Sequence, residues 1–177
     1  NFPNHEANPL IPEFRKDIIA KIIKEKADIG IMYDGDSDRI AFFDETWHYI
    51  QSDLLLGFII DKLFTNHKDK TVVYDLRCSW YVKDMIARHG LKGILSKVGY
   101  ANIKPLMKKN NSVIGSEMSG HFFWPIDDGF NENTLITTLV MLEILSQENK
   151  KMSELFAETR NYFLSGEVNF KVKDKNA

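Results

Sequence analysis

Three aspartates at alternating positions are the clearest chemical signal in the sequence. Asp34, Asp36 and Asp38 lie in the segment DGDSDR, directly after a short apolar segment. Carboxylates this close repel one another unless a cation holds them, and such oxygen ligands favour Mg²⁺ or Ca²⁺. Gly35 allows a sharp turn on which the side chains converge, and Arg39 adds a planar cation suited to a phosphate. The spacing therefore predicts a divalent metal site beside a phosphate.

Three other interpretations of this acidic loop, residues 34–39, stay open. The first is a solvated acidic turn. The second is an EF-hand, for which Asp34, Asp36, Asp38 and Glu45 stand at ligand positions. Against it, Arg39 replaces the expected Gly and the flanking segments are strand-like rather than helical. The third is a phosphatase-type aspartyl nucleophile, which would usually have Thr or Val where Asp38 stands.

A second polar loop follows another apolar segment, in the sequence GSEMSGHFF. Glu117 and Ser119 offer acceptors and a donor at close range, a combination that suits sugar hydroxyls. Gly120 allows a ligand to approach the backbone closely, and His121 can exchange protons near neutral pH. Residues 117–121 are a candidate sugar site, although a structural histidine is an equally simple interpretation of His121.

Hydrophobic periodicity predicts the elements that position these loops. Helices are expected at 13–26, 80–88, 131–147 and 152–163, at 52–65 with Ser52 as the cap, and at 102–109 with Pro105 in the first turn. Strands are expected at 28–33, 71–74, 93–98, 112–117 and 167–172, with a hairpin at 39–43 and 48–50.

Strands and helices alternate, which predicts the α/β class with a mixed, mainly parallel open sheet covered by helices. Ligands of such sheets bind beyond the carboxyl ends of the strands. The segments to search for chemistry are therefore the loops at 34–39, 75–79, 97–100 and 117–121.

Composition argues against several classes of protein, among them nucleic-acid-binding and membrane-spanning proteins. The 177 residues carry 44% hydrophobic side chains and a net charge of -2, which fits one folded domain and argues against broad nucleic-acid binding. The lysines at 104, 108 and 109 are expected on a solvated helix face. The apolar segments are too short for a membrane helix. A single cysteine, Cys78, excludes an internal disulfide and fits a reducing cytoplasm.

Five stretches together resemble the α-D-phosphohexomutase superfamily, of the bacterial phosphomannomutase/phosphoglucomutase type. They are FPNHEANP at 2–9, DGDSDR at 34–39, KVGYANIK at 97–104, SEMSGH at 116–121 and DDG at 127–129. The resemblance implies an isomerase that interconverts hexose 6-phosphate and hexose 1-phosphate. Such enzymes use a phosphoserine, Mg²⁺ and a hexose 1,6-bisphosphate intermediate, in a cleft between four domains.

The resemblance also implies roles for individual residues. The metal ligands would be Asp34, Asp36 and Asp38, and the hexose ligands Glu117, Ser119 and Gly120. Residues 117–121 are called the hexose loop below. Arg39 would contact phosphate, and Lys97 and His121 match positions for proton transfer or phosphate contact. Residues 1–12 would be the tail of a preceding domain, residues 13–164 the domain 3-like unit, and residues 165–177 the start of a following domain.

Some positions depart from the family pattern. Ser116 replaces a Gly, Tyr100 replaces a His, and Trp80 and Tyr81 stand where an Arg often points to the cleft. The sequence contains no phosphoserine loop and no C-terminal phosphate clamp. Together with the non-Met first residue, this predicts a fragment that is inactive without the missing domains. The alternative is a non-catalytic module that binds a metal or a sugar phosphate.

Overall fold

The computed structural model describes residues 2–162 and residue 171 of the chain. Its strands are β1 Ile29–Tyr33, β2 Ile40–Asp44, β3 Tyr49–Ile50, β4 Thr71–Asp75, β5 Lys92–Ser96, β6 Ile114–Ser116, β7 Phe122–Ile126 and β8 Gly129–Glu132. Its helices are α1 Lys16–Glu25, α2 Ser52–Leu63, α3 Trp80–Arg88, α4 Tyr100–Asn110, α5 Thr134–Gln147 and α6 Met152–Leu155. Two 3₁₀ helices span Pro12–Arg15 and Ala157–Asn161.

An open five-stranded sheet in the order β5-β4-β6-β7-β8 forms the centre of the fold. Strands β5, β4 and β6 are parallel, and β7 runs antiparallel to both β6 and β8. Four of the five strands therefore run in one direction. The predicted α/β class with a mainly parallel open sheet is confirmed.

The first three strands form a separate antiparallel sheet in the order β1-β2-β3. The pairing of Tyr33 with Ile40 makes the acidic loop the turn of the β1–β2 hairpin. The expectation that this loop ends a strand of the open sheet is therefore wrong. The predicted pairing of the segments that became β2 and β3 is correct, with Phe43 opposite Tyr49.

One apolar core joins the two sheets. Phe42 of β2, Phe58 of α2 and Phe122 of β7 belong to the same buried cluster. Burying each of these side chains contributes roughly 1.5–3 kcal/mol. On the other face of the open sheet, Ile103 and Met107 of α4 pack in a second buried cluster. The shared core holds the β1–β2 hairpin, and with it the acidic loop, against the open sheet.

The hairpin of β7 and β8 was not predicted, and the expected helix at 131–147 starts too early. Asn133 explains the start, because its side chain accepts a hydrogen bond from the backbone N–H of Ile136 and caps α5. Residues before the cap pair with β7, where Trp124 lies opposite Asn131.

Two predicted helix starts differ from the structure in detail. Gln51, with an extended backbone, precedes α2, so Ser52 is its first residue rather than its cap. α4 begins after Gly99, whose φ of 106° turns the chain, and Pro105 therefore lies in the second turn rather than the first. The expected helix at 152–163 divides at Phe156 into α6 and a 3₁₀ helix.

Apart from residue 171, the predicted strand at 167–172 falls outside the described residues, as does the domain boundary at 164. The division at residue 12 stays a prediction. Within residues 2–162 and 171, no helix is both long and apolar enough to cross a membrane.

Candidate active site

The acidic loop is built around Asp34, whose side chain is buried. Its Oδ1 accepts the backbone N–H of Arg39 at 3.0 Å, and its Oδ2 accepts the Arg39 Nε–H at 2.6 Å. The backbone of Ser37 takes the left-handed conformation, with φ of 64°. Gly35 is not among the described residues with positive φ, so Ser37 rather than Gly35 supplies the unusual backbone of this turn.

The three aspartates are close enough to share a metal ion. One carboxylate oxygen from each of Asp34, Asp36 and Asp38 lies within 4.8 Å of the others. Two oxygens bound to one Mg²⁺ at about 2.1 Å can be no more than about 4.2 Å apart, so small side-chain rotations would close the set. A carboxylate accepts about four hydrogen bonds or ligands, so Asp34 can keep Arg39 and still coordinate a cation. The residues present therefore fit Mg²⁺.

Two aspartates of the acidic loop have pKa values shifted in opposite directions. Burial disfavours the charged form of Asp34, yet the hydrogen bonds from Arg39 hold its pKa below the usual value. Burial raises the pKa of Asp38, and the charges of Asp34 and Asp36 raise it further against the attraction of His121. A cation bound between these carboxylates would relieve their repulsion.

The hexose loop is a tight turn at the carboxyl end of β6. The backbone N–H of Glu117 donates to the carbonyl of His121 at 3.0 Å, and the N–H of Gly120 donates to the carbonyl of Glu117 at 3.1 Å. Nδ1 of His121 lies 3.1 Å from Oε2 of Glu117 and 2.9 Å from Oγ of Ser119. The turn thus gathers a carboxylate, a hydroxyl and an imidazole.

Glu117 and His121 stabilise each other in their charged forms. Burial opposes ionisation of Glu117, but hydrogen bonds from His121 and from the Gly99 backbone lower its pKa. Burial likewise opposes a charge on His121, but the hydrogen bond to Glu117 and the charge of Asp38 raise its pKa. His121 can therefore hold a proton at a higher pH than a free histidine.

The two loops meet although they belong to different sheets. Nε2 of His121 lies 3.4 Å from Oδ1 of Asp38. The backbone N–H of Ile40 donates to the carbonyl of Gly120 at 3.1 Å. Gly120 has a φ of 104°, and a Cβ there would lie 3.0 Å from the carbonyl oxygen of Ile40. A side chain at this position would be strained by the backbone conformation and crowded against Ile40, so the close approach of the two loops favours glycine here.

A cavity of about 380 Å³ opens where the loops meet. Its lining residues are Asp38, Arg77, Val98, Gly99, Tyr100, Lys104, Glu117, Ser119, His121 and Glu132. This volume is in the range of small-molecule sites. The lining mixes acidic, basic and hydroxyl groups, which suits a ligand with both hydroxyl groups and a negative charge.

Most of the predicted site residues come together here. The aspartates and Arg39 form the acidic loop, and Glu117, Ser119, Gly120 and His121 form the hexose loop that contacts it. Of these residues, Asp38, Glu117, Ser119 and His121 line the cavity. Lys97 does not join them in the same way, because it is exposed and is not one of the lining residues of the cavity.

Sequence reasoning missed two cationic residues of the cavity. Arg77 lies in the loop after β4, with its Nη2 2.7 Å from Oδ2 of Asp75. That loop was selected for search, and its Asp-x-Arg spacing was the available signal. Lys104 was expected on a solvated face, but it is half-buried, 3.9 Å from Glu132. The difference arises because α4 packs against the sheet beside β8, which brings Lys104 next to Glu132 of that strand.

Comparison with known families matches two models. The model described as phosphoglucomutase/phosphomannomutase, alpha/beta/alpha domain II, matches residues 1–47. The model described as alpha/beta/alpha domain III of the same family matches residues 51–162. The acidic loop lies within the first match and the hexose loop within the second.

Individual relatives agree with these matches. Phosphomannomutase of Methanocaldococcus jannaschii is 37% identical over 99% of this chain and 39% of its own length. The phosphohexose mutases protein of Xanthomonas campestris is 38% identical over 100% of this chain and 40% of its own. A phosphoglucomutase/phosphomannomutase family structure from Burkholderia thailandensis has a TM-score of 0.82 at 28% identity, and covers 89% of this chain and 34% of that one.

The chain thus spans about two fifths of the length of these curated relatives. The matched models, the fold and the two loops lead to one conclusion: the chain belongs to the phosphoglucomutase/phosphomannomutase family.

Proposed function

We propose that this chain supplies the Mg²⁺-binding and hexose-binding loops of an enzyme that interconverts hexose 6-phosphate and hexose 1-phosphate. The observation that carries the proposal is the 3.4 Å contact between His121 Nε2 and Asp38 Oδ1, which places the hexose loop against the acidic loop. A sugar phosphate in the adjoining cavity would have its hydroxyls near Glu117 and its phosphate near the aspartates.

Asp34, Asp36 and Asp38 would hold the metal ion. When bound, Mg²⁺ would neutralise negative charge on the phosphate during phosphoryl transfer. Arg39 lies at the same place: its Nε–H donates to Asp34, and the same Nε lies 3.8 Å from Oδ1 of Asp38. Because a guanidinium has several donors, Arg39 can orient Asp34 and also contact a phosphate oxygen.

The hexose loop would recognise the sugar and move protons. Glu117, kept ionised by His121, accepts hydrogen bonds from hydroxyls, and Ser119 both donates and accepts. Gly120 is buried against Ile40, so its part in the proposed site is to let the hexose loop pack closely on β2. His121 is the strongest candidate for proton transfer, because it lies between the two loops and the hydrogen bond to Glu117 raises its pKa against the effect of burial. Lys97 remains a proposed phosphate or proton-transfer residue at the margin of the site.

The reaction would need groups that this chain does not provide. The proposed parent enzyme donates phosphate from a phosphoserine, passes through a hexose 1,6-bisphosphate intermediate and works in the cytoplasm. The chain alone is then expected to bind Mg²⁺ and hexose phosphate without turnover.

A second candidate is a non-catalytic module that binds a metal or sugar phosphate. The observation that favours it is Tyr100, which lines the cavity at the position where the family commonly has a histidine. A tyrosine there would leave binding in place and remove one acid–base group.

Calorimetry tests the site, with Asp36→Asn as the variant and Asp69→Asn as a matched control at an exposed carboxylate. We expect Asp36→Asn to weaken Mg²⁺ binding about tenfold or more and the control to leave it unchanged. Equal Mg²⁺ affinity in all three proteins would remove the metal assignment. An assay of the intact parent protein with mannose and glucose 1-phosphates, Mg²⁺ and a hexose bisphosphate separates the enzyme from the module.

A further inference from the structure

Asp75 is a fully buried carboxylate at the end of β4, beneath the cavity. Its Oδ1 accepts the backbone N–H of Arg77 at 2.7 Å. Its Oδ2 accepts the backbone N–H of Met118 at 3.0 Å and lies 2.7 Å from Nη2 of Arg77. One side chain therefore binds two different parts of the candidate site, one in its own loop and one in the hexose loop.

The bond to Met118 acts on the hexose loop. The Met118 amide belongs to the peptide group that joins Glu117 to Met118, so the bond to Asp75 holds that peptide plane in the middle of the hexose loop. Asp75 is 43 residues away in sequence and belongs to the neighbouring strand, since β4 and β6 are paired. The contact thus ties the hexose loop to the rigid centre of the open sheet.

The contact between Asp75 and Arg77 holds a second part of the cavity wall, the loop after β4. The Arg77 side chain lines the cavity and is only 21% exposed. A buried carboxylate is costly without a paired cation, so the charge of Asp75 holds the guanidinium against it. A long side chain that would otherwise sample many rotamers is thereby held near Glu117.

We infer that Asp75 is a positioning residue for sugar phosphate binding, which sets the hexose loop and the Arg77 guanidinium at a fixed separation. The inference rests on the proposed function for the identity of the ligand. Asp75 does not line the cavity, so it acts through Met118 and Arg77 and not by touching the ligand. Small displacements of groups that contact a ligand have large effects on binding and catalysis, which gives this buried contact its importance.

The first test uses nuclear magnetic resonance on the complete chain without ligand. In the unsubstituted protein, we expect a scalar coupling across the hydrogen bond between the Met118 amide nitrogen and the Asp75 carboxylate carbon. In Asp75→Asn, we expect shifts in the Met118 amide, the Arg77 Nε–H and the hexose loop, with the acidic loop unchanged. Absence of the coupling, or an unaltered hexose loop in the variant, would overturn the inference. The coupling needs no variant, so the test holds even if Asp75→Asn folds poorly.

The second test measures binding of glucose 1-phosphate, mannose 1-phosphate and Mg²⁺ to the unsubstituted chain, Asp75→Asn, Arg77→Gln and the double variant. We expect Asp75→Asn to weaken sugar phosphate binding about tenfold while Mg²⁺ affinity stays within about twofold. When Arg77→Gln is already present, Asp75→Asn should weaken sugar phosphate binding only about threefold further, because part of the effect of Asp75 on binding passes through Arg77.

The outcomes separate this inference from the proposed function. Fully additive losses, or equal losses of Mg²⁺ and sugar phosphate, would indicate general destabilisation and overturn the inference. If neither sugar phosphate binds the unsubstituted chain, the proposed function fails, and the resonance experiment alone decides whether Asp75 holds the loop and Arg77. Asp69→Asn, the same substitution at an exposed site before β4, should change none of these measurements.

Discussion

The acidic loop and the loop after β4 begin in the same way and then differ. Each places an aspartate at the end of a strand, buries it, and pairs it with an arginine a few residues later: Asp34 with Arg39, and Asp75 with Arg77. In both loops the backbone N–H of the arginine also donates to the aspartate. By local geometry alone, the two would be assigned the same role.

The two loops differ in the negative charge that is left once the arginine has paired with the buried aspartate. The acidic loop has three carboxylates for one guanidinium, whereas residues 75–79 have one of each. The carboxylate oxygens of Asp75 accept hydrogen bonds from Arg77 and from the Met118 amide of another loop. In the acidic loop, Asp36 is exposed and Asp38 is half-exposed, so their oxygens can reach a ligand. Surplus negative charge, rather than a buried aspartate as such, is therefore what favours the acidic loop over residues 75–79 as the proposed metal site.

The largest effect should come from removing the structural aspartate. We expect Asp75→Ala to lower the free energy of unfolding by roughly 3–5 kcal/mol, because Arg77 and the Met118 amide lose a buried partner. Asp36→Ala, at an exposed position, should change it by no more than about 0.5 kcal/mol. Urea unfolding of both variants measures the contrast. Similar losses in the two would erase the distinction between the loops.

Metal binding should stabilise the chain through the acidic loop alone. Magnesium at about 100 times its dissociation constant should add about 2.7 kcal/mol to the free energy of unfolding. At the same concentration, Asp36→Asn should gain much less, because it holds the ion more weakly. Thermal melts with and without Mg²⁺ test this, with Asp69→Asn as the control. The comparison would be wrong if Asp36→Asn gained as much as the unsubstituted chain.

A glycine substitution should break the contact between the acidic and hexose loops. Gly120→Ala forces a side chain into a left-handed backbone and toward the carbonyl of Ile40, at a cost of about 2 kcal/mol. Gly35→Ala, within the acidic loop, should cost less, because its Cβ would meet only the exposed side chain of Phe2. Chemical unfolding ranks the two. A larger loss for Gly35→Ala would show that the contact at Gly120 is not the tighter constraint.

The smallest expected effect concerns a third carboxylate at a strand end. Glu45 follows β2 and accepts hydrogen bonds from the backbone N–H and the hydroxyl of Ser153. Although burial favours its neutral form, these bonds hold the pKa of Glu45 below the usual value. The folded pKa is thus lower than the unfolded one, so the contribution is present above the unfolded pKa and is lost as the pH falls through the folded pKa.

Glu45→Gln should therefore cost about 1 kcal/mol at neutral pH, and the difference from the unsubstituted chain should shrink in acid. Unfolding measured from pH 7 to pH 3 gives the profile. A difference that stayed constant with pH would show that the charge of Glu45 contributes nothing to the fold.

Local patterns were enough to find the open sheet and the two loops. The aspartate spacing and the Glu-Ser-His segment are signals within six residues, and alternation of strands and helices follows from periodicity. The matched family agrees with the resemblance carried by those segments.

Long-range pairing explains what the sequence could not show. An apolar segment such as β1 has the same sequence pattern in an open sheet as in a hairpin. Its place in the fold is determined by its pairing with β2, which the pattern does not show. β7 was missed because Phe122, Phe123 and Trp124 are all buried, which removes the alternation of a strand, and Pro125 follows them. The role of Asp75 depends on an amide 43 residues away.

The hydrogen bond between Ile40 and Gly120 joins a backbone N–H to a backbone carbonyl, so the side chain of Ile40 takes no part in it. A bond of this kind is insensitive to most substitutions on β2, as long as the strand keeps its place in the core. A different turn could therefore be grafted after β6 without redesigning the β1–β2 hairpin, on one condition. The graft must carry a glycine where Gly120 now stands, because that position supplies both the carbonyl and the space.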